Sequence, residues 1–210
     1  SSAGAAISTG IQNTIVGGLA GDAINTGSYN VIMGTNAGGG VTSGDQNIII
    51  GQGTNAAALT GNTNTIIGDS AGQAMTSAAN NVAVGANTLV AHTTAANGTA
   101  VGANALQSNT TGADNTGLGK GALASNTTAA QNTAVGVRSM EDTTTGADNT
   151  AIGWGSLTEN TTGTNNVALG RSSLSSNTSA SNNVAAGLLA LGTNTTGAVN
   201  TALGHQALEK

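Results

Sequence analysis

The stretch Gly68-Asp69-Ser70-Ala71-Gly72 has the G-x-S-x-G spacing of a nucleophile elbow, a strand-to-helix turn that presents a serine to a partner histidine. A 17-residue period explains the same glycines without catalysis: Gly68 stands in file with Gly51 and Gly85, and Gly72 with Gly21 and Gly38. Taking Asn149 to Asn165, NTAIGWGSLTENTTGTN, as the unit, they occupy slots 5 and 9 of seventeen. His92 (slot 12) and His205 (slot 6) are more than six periods apart, so they cannot share a metal or a proton, and both are expected in solvent. Calcium-binding β-rolls repeat an aspartate in one slot, whereas Asp22, Asp45, Asp69 and Asp114 fall in slots 10, 16, 6 and 17. Asp114 and Asp148 share slot 17 but lie two coils apart, roughly 10 Å at ~4.8 Å per coil. No catalytic, cofactor-binding or metal-ligating residue is expected, and no cofactor; the chain reads as non-enzymatic.

Two hydroxyl-bearing patterns remain. Asn109, Asn126, Asn160 and Asn194 head N-T-T sequons, which a secretory pathway could glycosylate; as slot 12 of the repeat they read as turn residues. Slot 14 is a file of hydroxyls (Thr26, Ser43, Thr60, Ser77, Thr94, Thr111, Thr128, Thr145, Thr162, Ser179, Thr196). A regular row of this kind on a flat solenoid could bind ice; against that, slot 12 supplies no second threonine file. Capping of the turn by these hydroxyls is the expected role.

The elements that must carry these residues are defined by the period itself. Copies begin at Asn13, Asn30, Asn47, Asn64, Asn81, Gly98, Asn115, Asn132, Asn149, Asn166, Asn183 and Asn200, without insertion or deletion. With 33 glycines, no proline, one Trp, one Tyr and no Phe in 210 residues, the composition alone would suggest a disordered segment. Strict self-similarity instead marks a stacked repeat. Slot 2 is Thr, Val or Ile, slot 4 is apolar and slot 5 is glycine throughout, which predicts a short strand at slots 2–4 and a corner at slot 5. A second short strand ending near slot 9 and a polar turn at slots 14–15 complete one coil. Seventeen residues leave too little for a helix pair, so the expected fold is all-β, a parallel β-solenoid with in-register ladders. Residues 1–210 form one repeat domain of about twelve coils. The chain begins mid-copy and ends at Lys210, the eleventh residue of its copy; with no capping sequence visible, it reads as a fragment of a longer chain.

The two halves fill the coil differently. Slot 3 is Ile in the first four copies (Ile15, Ile32, Ile49, Ile66) while slot 9 is small or polar; from Asn81 onward slot 3 is Ala or Gly and slot 9 is Leu or Met. Slot 12 changes from Ile24, Val41, Ala58 and Met75 to His92, Asn109, Asn126 and Asn160. Either a bulky group has moved between walls of one interior, or two blocks were duplicated from different ancestors. Slots 4 and 9 are expected to be buried, and Trp154, Arg138 and Arg171 in slots 6 and 7 exposed.

A net charge of −5 with 6% charged residues gives no basic face for nucleic acid or an anionic membrane, and no apolar run is long enough for a membrane span. No cysteine is present. Both faces of slots 2–4 are apolar or β-branched; one can line the coil, and the other needs cover, most simply by further copies of the chain.

NTAVG (Asn132 to Gly136), NNVAVG (Asn80 to Gly85) and NNVALG (Asn165 to Gly170) resemble the head repeats of YadA-like trimeric autotransporter adhesins, and the unit NTAVGxxALxxNTTG is similar to repeats in bacteriophage tail fibres. The resemblance implies a left-handed β-roll, a homotrimer around one axis, and an extracellular place on a virion tail fibre or bacterial cell surface. The expected function is a structural shaft or head segment of an adhesive fibre, with any host receptor met through regions outside this segment. The alternatives are an ice-binding solenoid using slot 14 and a self-assembling extracellular filament.

Overall fold

The computed structural model describes residues 2–209, so Lys210 lies outside the described residues. Two compact units are present, Ser1–Ala103 and Asn104–Lys210. The first holds β1 (Thr14–Val16), β2 (Val31–Met33), β3 (Ile48–Ile50), β4 (Thr65–Ile67), β5 (Val82–Val84) and β6 (Thr99–Val101). The second holds β7 (Thr116–Leu118), β8 (Thr133–Val135), β9 (Thr150–Ile152), β10 (Val167–Leu169), β11 (Val184–Ala186) and β12 (Thr201–Leu203). Every strand is slots 2–4 of its copy. Within each unit neighbouring strands pair in parallel at an offset of one repeat, as in Ile32 with Ile49 and Ala134 with Ala151. Each unit is therefore a parallel β-solenoid of 17-residue coils, as the period predicts.

The β-branched slot 2 and the glycine of slot 5 bracket each strand for physical reasons. Gly153 has φ of 138°, and a Cβ added there would stand 2.5 Å from the Gly170 carbonyl oxygen of the next coil. Both the conformation and the close approach of successive backbones exclude a side chain.

Among the described residues the second strand expected before slot 9 is absent. Slots 6 to 11 instead form tight turns, with left-handed residues at slots 7 and 9, of which Arg138 (φ 58°) and Leu157 (φ 52°) are examples. At slot 9 the left-handed backbone turns a large side chain inward. Leu106, Leu123, Leu157 and Leu174 all have φ near 50° and no solvent exposure. A non-glycine residue in this region costs ~1–2 kcal/mol, and burial of a leucine returns about as much or more.

The slot-4 expectation is also corrected. Slot 3 is the inward position: Ile32, Ile49, Ile66, Ala83, Ala134, Ala151 and Ala168 are fully buried. Slot 4 points outward, with Ile152 44% exposed and Met33 40%. A three-residue strand alternates, so only its middle residue can face the coil's own interior. Trp154, Arg138 and Arg171 are exposed as expected.

Slots 3, 9 and 12 share that interior. A Cβ on Gly21 would meet Ile24 Cδ1 at 3.0 Å, Ile32 Cδ1 at 3.2 Å and Ile15 Cδ1 at 3.3 Å, so isoleucine at slots 3 and 12 leaves no room for a slot-9 side chain. With alanine at slot 3, leucine takes the space. The exchange between halves is thus one of volume within a closely packed core. Coil 47–63 departs from the register: Ala58 is exposed, and Leu59 is buried in its place and bridges to Val41.

Candidate interaction surfaces

Slot 1 is a buried asparagine ladder. In the first unit the Asn30 N–H donates to Asn13 Oδ1 at 3.0 Å and the Asn47 N–H to Asn30 Oδ1 at 2.9 Å, while Asn30 Nδ2 donates to the Gly44 carbonyl at 2.8 Å. The second unit repeats this, with Asn149 N–H on Asn132 Oδ1 at 2.9 Å and Asn149 Nδ2 on the Gly163 carbonyl at 2.9 Å. These amides close their own coils and clip them to the next, satisfying polar groups that burial would otherwise penalise; Gly98 interrupts the file, and Asn183 Nδ2 is buried without a partner.

Slot 12 carries a second ladder in the second unit. Asn126 Nδ2 donates to Asn109 Oδ1 at 2.9 Å and Asn177 Nδ2 to Asn160 Oδ1 at 2.9 Å, with further bonds to the Ala129 and Ala180 carbonyls. The sequons at Asn109, Asn126 and Asn160 are therefore closed to an enzyme while the chain is folded, for these side chains have no exposed surface. Thr143 interrupts the file, and its Oγ1 and the Asn126 Oδ1 are buried without hydrogen-bond partners.

His92 is not in solvent as expected but buried in slot 12, its Nε2–H donating to the Ala95 carbonyl at 2.9 Å, the slot-15 acceptor that asparagine uses elsewhere. Desolvation lowers its pKa, partly opposed by that hydrogen bond. His205 is exposed. Ser70 lies in the left-handed slot-7 turn common to the repeat, and its hydroxyl donates to Asp69 Oδ2 at 3.3 Å. Among the described residues no group of three or more His, Cys, Asp or Glu is placed to hold a metal ion.

Three strips face outward in each unit. The strand strip, slots 2 and 4, has no charged residue in any copy. In the first unit Val16, Met33 and Ile48 are exposed, and in the second Ile152, Leu169 and Val184. The second strip, slots 6, 7, 10 and 11, carries Lys120, Arg138, Trp154 and Arg171. The third, slots 13, 14, 16 and 17, carries hydroxyls. Capping there falls to slot 13 rather than to slot 14: Thr110 Oγ1 donates to the Thr127 carbonyl at 2.9 Å, and Thr127 and Thr144 continue the file. The exposed slot-14 hydroxyls are mostly left to solvent, Thr60 on the Thr76 carbonyl being the exception among the described residues.

Comparison with protein-family models, with curated proteins and with solved structures finds no match. The molecule is placed by its geometry, as a parallel β-solenoid with internal amide ladders and an uncharged outer strand face. No helix in the described residues is long and apolar enough to cross a membrane.

Proposed function

We propose that the chain is a structural shaft or head segment of an adhesive fibre, three copies packing through their slot-2 and slot-4 strips around a common axis in a left-handed β-roll. The observation that carries this reading is the strand strip: β-branched and aliphatic side chains, free of charge in every copy, stand outward on a ladder whose other face is already filled. Contiguous apolar surface of this kind marks an interaction site. The fibre would act outside the cell, on a virion or a bacterial surface, holding a receptor-binding region at a distance.

Sedimentation of the purified chain tests the association. The unmodified protein should run as a trimer. Ile152→Asp, which would put unpaired charges into a dry contact at a cost of several kcal/mol per chain, should give a folded monomer by circular dichroism. Slot-3 positions such as Ile49 and Ala151 do not serve for this test, because they line the coil's own interior. A folded monomer of the unmodified chain overturns the trimer, and an open-ended series of larger species favours a self-assembling filament instead.

A second reading is favoured by the slot-14 file. Its hydroxyls are exposed and its outward neighbour, slot 16, is alanine in six copies (Ala79, Ala96, Ala113, Ala130, Ala147, Ala198), a strip of hydroxyl and methyl. Thermal hysteresis abolished by Thr128→Lys would support ice binding.

A further inference from the structure

A uniform shaft has no reason to place its rare side chains together, yet this one does. All three lysines and arginines among the described residues (Lys120, Arg138, Arg171) lie on one strip of the second unit, with the chain's single tryptophan among them. We propose that this strip binds a saccharide in a groove beside Trp154.

The groove has a volume of about 160 Å³ and is lined by Arg138, Trp154, Gly155, Thr158, Glu159 and Ser172, among others. Trp154 is 48% exposed, and the Arg171 guanidinium lies over its ring at 5.2 Å from the centroid, which holds the indole in place. Gly155 keeps the floor open where other coils carry a side chain in slot 7, as at Asn36, Asn87 and Asn104. A Cβ there would stand 3.4 Å from Thr158 Oγ1 and 3.8 Å from Ser172 Oγ. Arg138 Nε donates to Glu141, which leaves its terminal nitrogens directed elsewhere. A second hollow of about 280 Å³, without an aromatic wall, lies around Gly121 two coils earlier, with Lys120 in slot 6 and Arg138 shared between the two. The separation is roughly 10 Å at ~4.8 Å per coil, the span of a short oligosaccharide.

This combination fits a sugar better than other ligands. Pyranose rings offer a C–H face that packs on an aromatic surface, and vicinal hydroxyls that pair with planar groups such as guanidinium and carboxylate. Around the groove Lys120, Arg138 and Arg171 are matched by Glu141, Asp142 and Glu159, so there is no excess positive charge there to attract a polyphosphate. It is too shallow and too polar for an apolar ligand. No residue of the uncharged strand face lines the groove, so the proposed site does not use the surface through which copies of the chain would pack. The proposal extends the fibre reading by giving the shaft an adhesive site of its own, but it does not require the chain to be trimeric.

Because Trp154 is the only tryptophan, its fluorescence reports the groove directly. The full chain, in whatever oligomeric state sedimentation finds, is titrated into the millimolar range with maltotriose, cellotriose, chitotriose, lactose and 3′-sialyllactose. At least one should give a saturable emission change. Gly155→Asn, a residue that slot 7 already accepts at positive φ elsewhere, should abolish it with the circular dichroism spectrum unchanged. Glu159→Ala should weaken binding about tenfold, the loss of one charged hydrogen bond. No saturable change with any of the five sugars overturns the proposal, as does equal binding by both variants. A response to tryptic casein peptides and to none of the sugars assigns the groove to peptide and overturns it too. Because oligomeric state is measured separately, the sugar site and the trimer can fail independently.

Discussion

At the scale of single residues, the interior is held by amides in fixed slots, and the positions that break the pattern are where stability can be moved. Thr143 occupies a slot in which its neighbours two coils on, Asn177, and one coil back, Asn126, make ladder bonds. It leaves Asn126 Oδ1 and its own Oγ1 unpaired in a buried site. Thr143→Asn should supply a donor to Asn126 Oδ1 and to the Gly146 carbonyl, and an acceptor for Asn160. The expected gain is about 1–2 kcal/mol, read as a higher denaturant midpoint at unchanged m-value. His92 is the complementary case. Burial lowers its pKa from the ordinary 6.5, so below about pH 6.5 the unfolded chain takes up a proton that the folded chain refuses. Stability contributed by the neutral ring is therefore present above that pH and lost as pH falls. His92→Asn, which keeps a donor for the Ala95 carbonyl, should flatten this part of the stability–pH curve; parallel curves for the two proteins would rule His92 out as its source.

At the scale of the coil, one strand, one glycine corner and two left-handed turns make the element. Gly153→Ala would force a Cβ into a φ of 138° and against the Gly170 carbonyl. A loss of about 3 kcal/mol or more is expected from strain and overlap together, measured by thermal unfolding. The strands and this corner were legible in the residues, since β-branched slot 2 and invariant glycine recur at one spacing in every copy. The inward direction of slot 3 was not, because a three-residue strand with apolar residues on both faces carries no alternation to read. Nor were the turns at slots 6 to 11: leucine at slot 9 signals a strand, and only the packed coil turns it into a left-handed residue that fills the core. Asparagine was legible as a turn former and illegible as a core residue, because its burial depends on a stacked partner one repeat away. The groove beside Trp154 showed in the sequence only as rare residue types close together, and it took the slot-7 glycines to show that they border an open space.

At the scale of the whole chain, the interactions that matter are between a coil and its neighbour, which makes each unit additive in a way that a globular core is not. Backbone bonds join slot to slot, as from Thr133 N–H to the Asn149 carbonyl at 2.9 Å and from Gly136 N–H back to the Leu118 carbonyl at 2.8 Å. Removing one complete repeat should therefore leave every remaining slot facing its own kind. Deletion of residues 132–148 joins Gln131, slot 17, to Asn149, slot 1, and brings Asn126 and Asn160 into adjacent coils, where the slot-12 ladder can close without Thr143 between them. Such a protein should keep its circular dichroism spectrum and unfold at a temperature no lower than the parent's. Deletion of residues 132–140 alone removes fewer residues but leaves the eight-residue remnant 141–148 between the copies that start at Asn115 and Asn149, so the two no longer follow at the repeat spacing and the remnant's side chains face the wrong slots. That shorter deletion should lose cooperative unfolding, and if both deletions behaved alike, slot-by-slot stacking would not be what holds the second unit together.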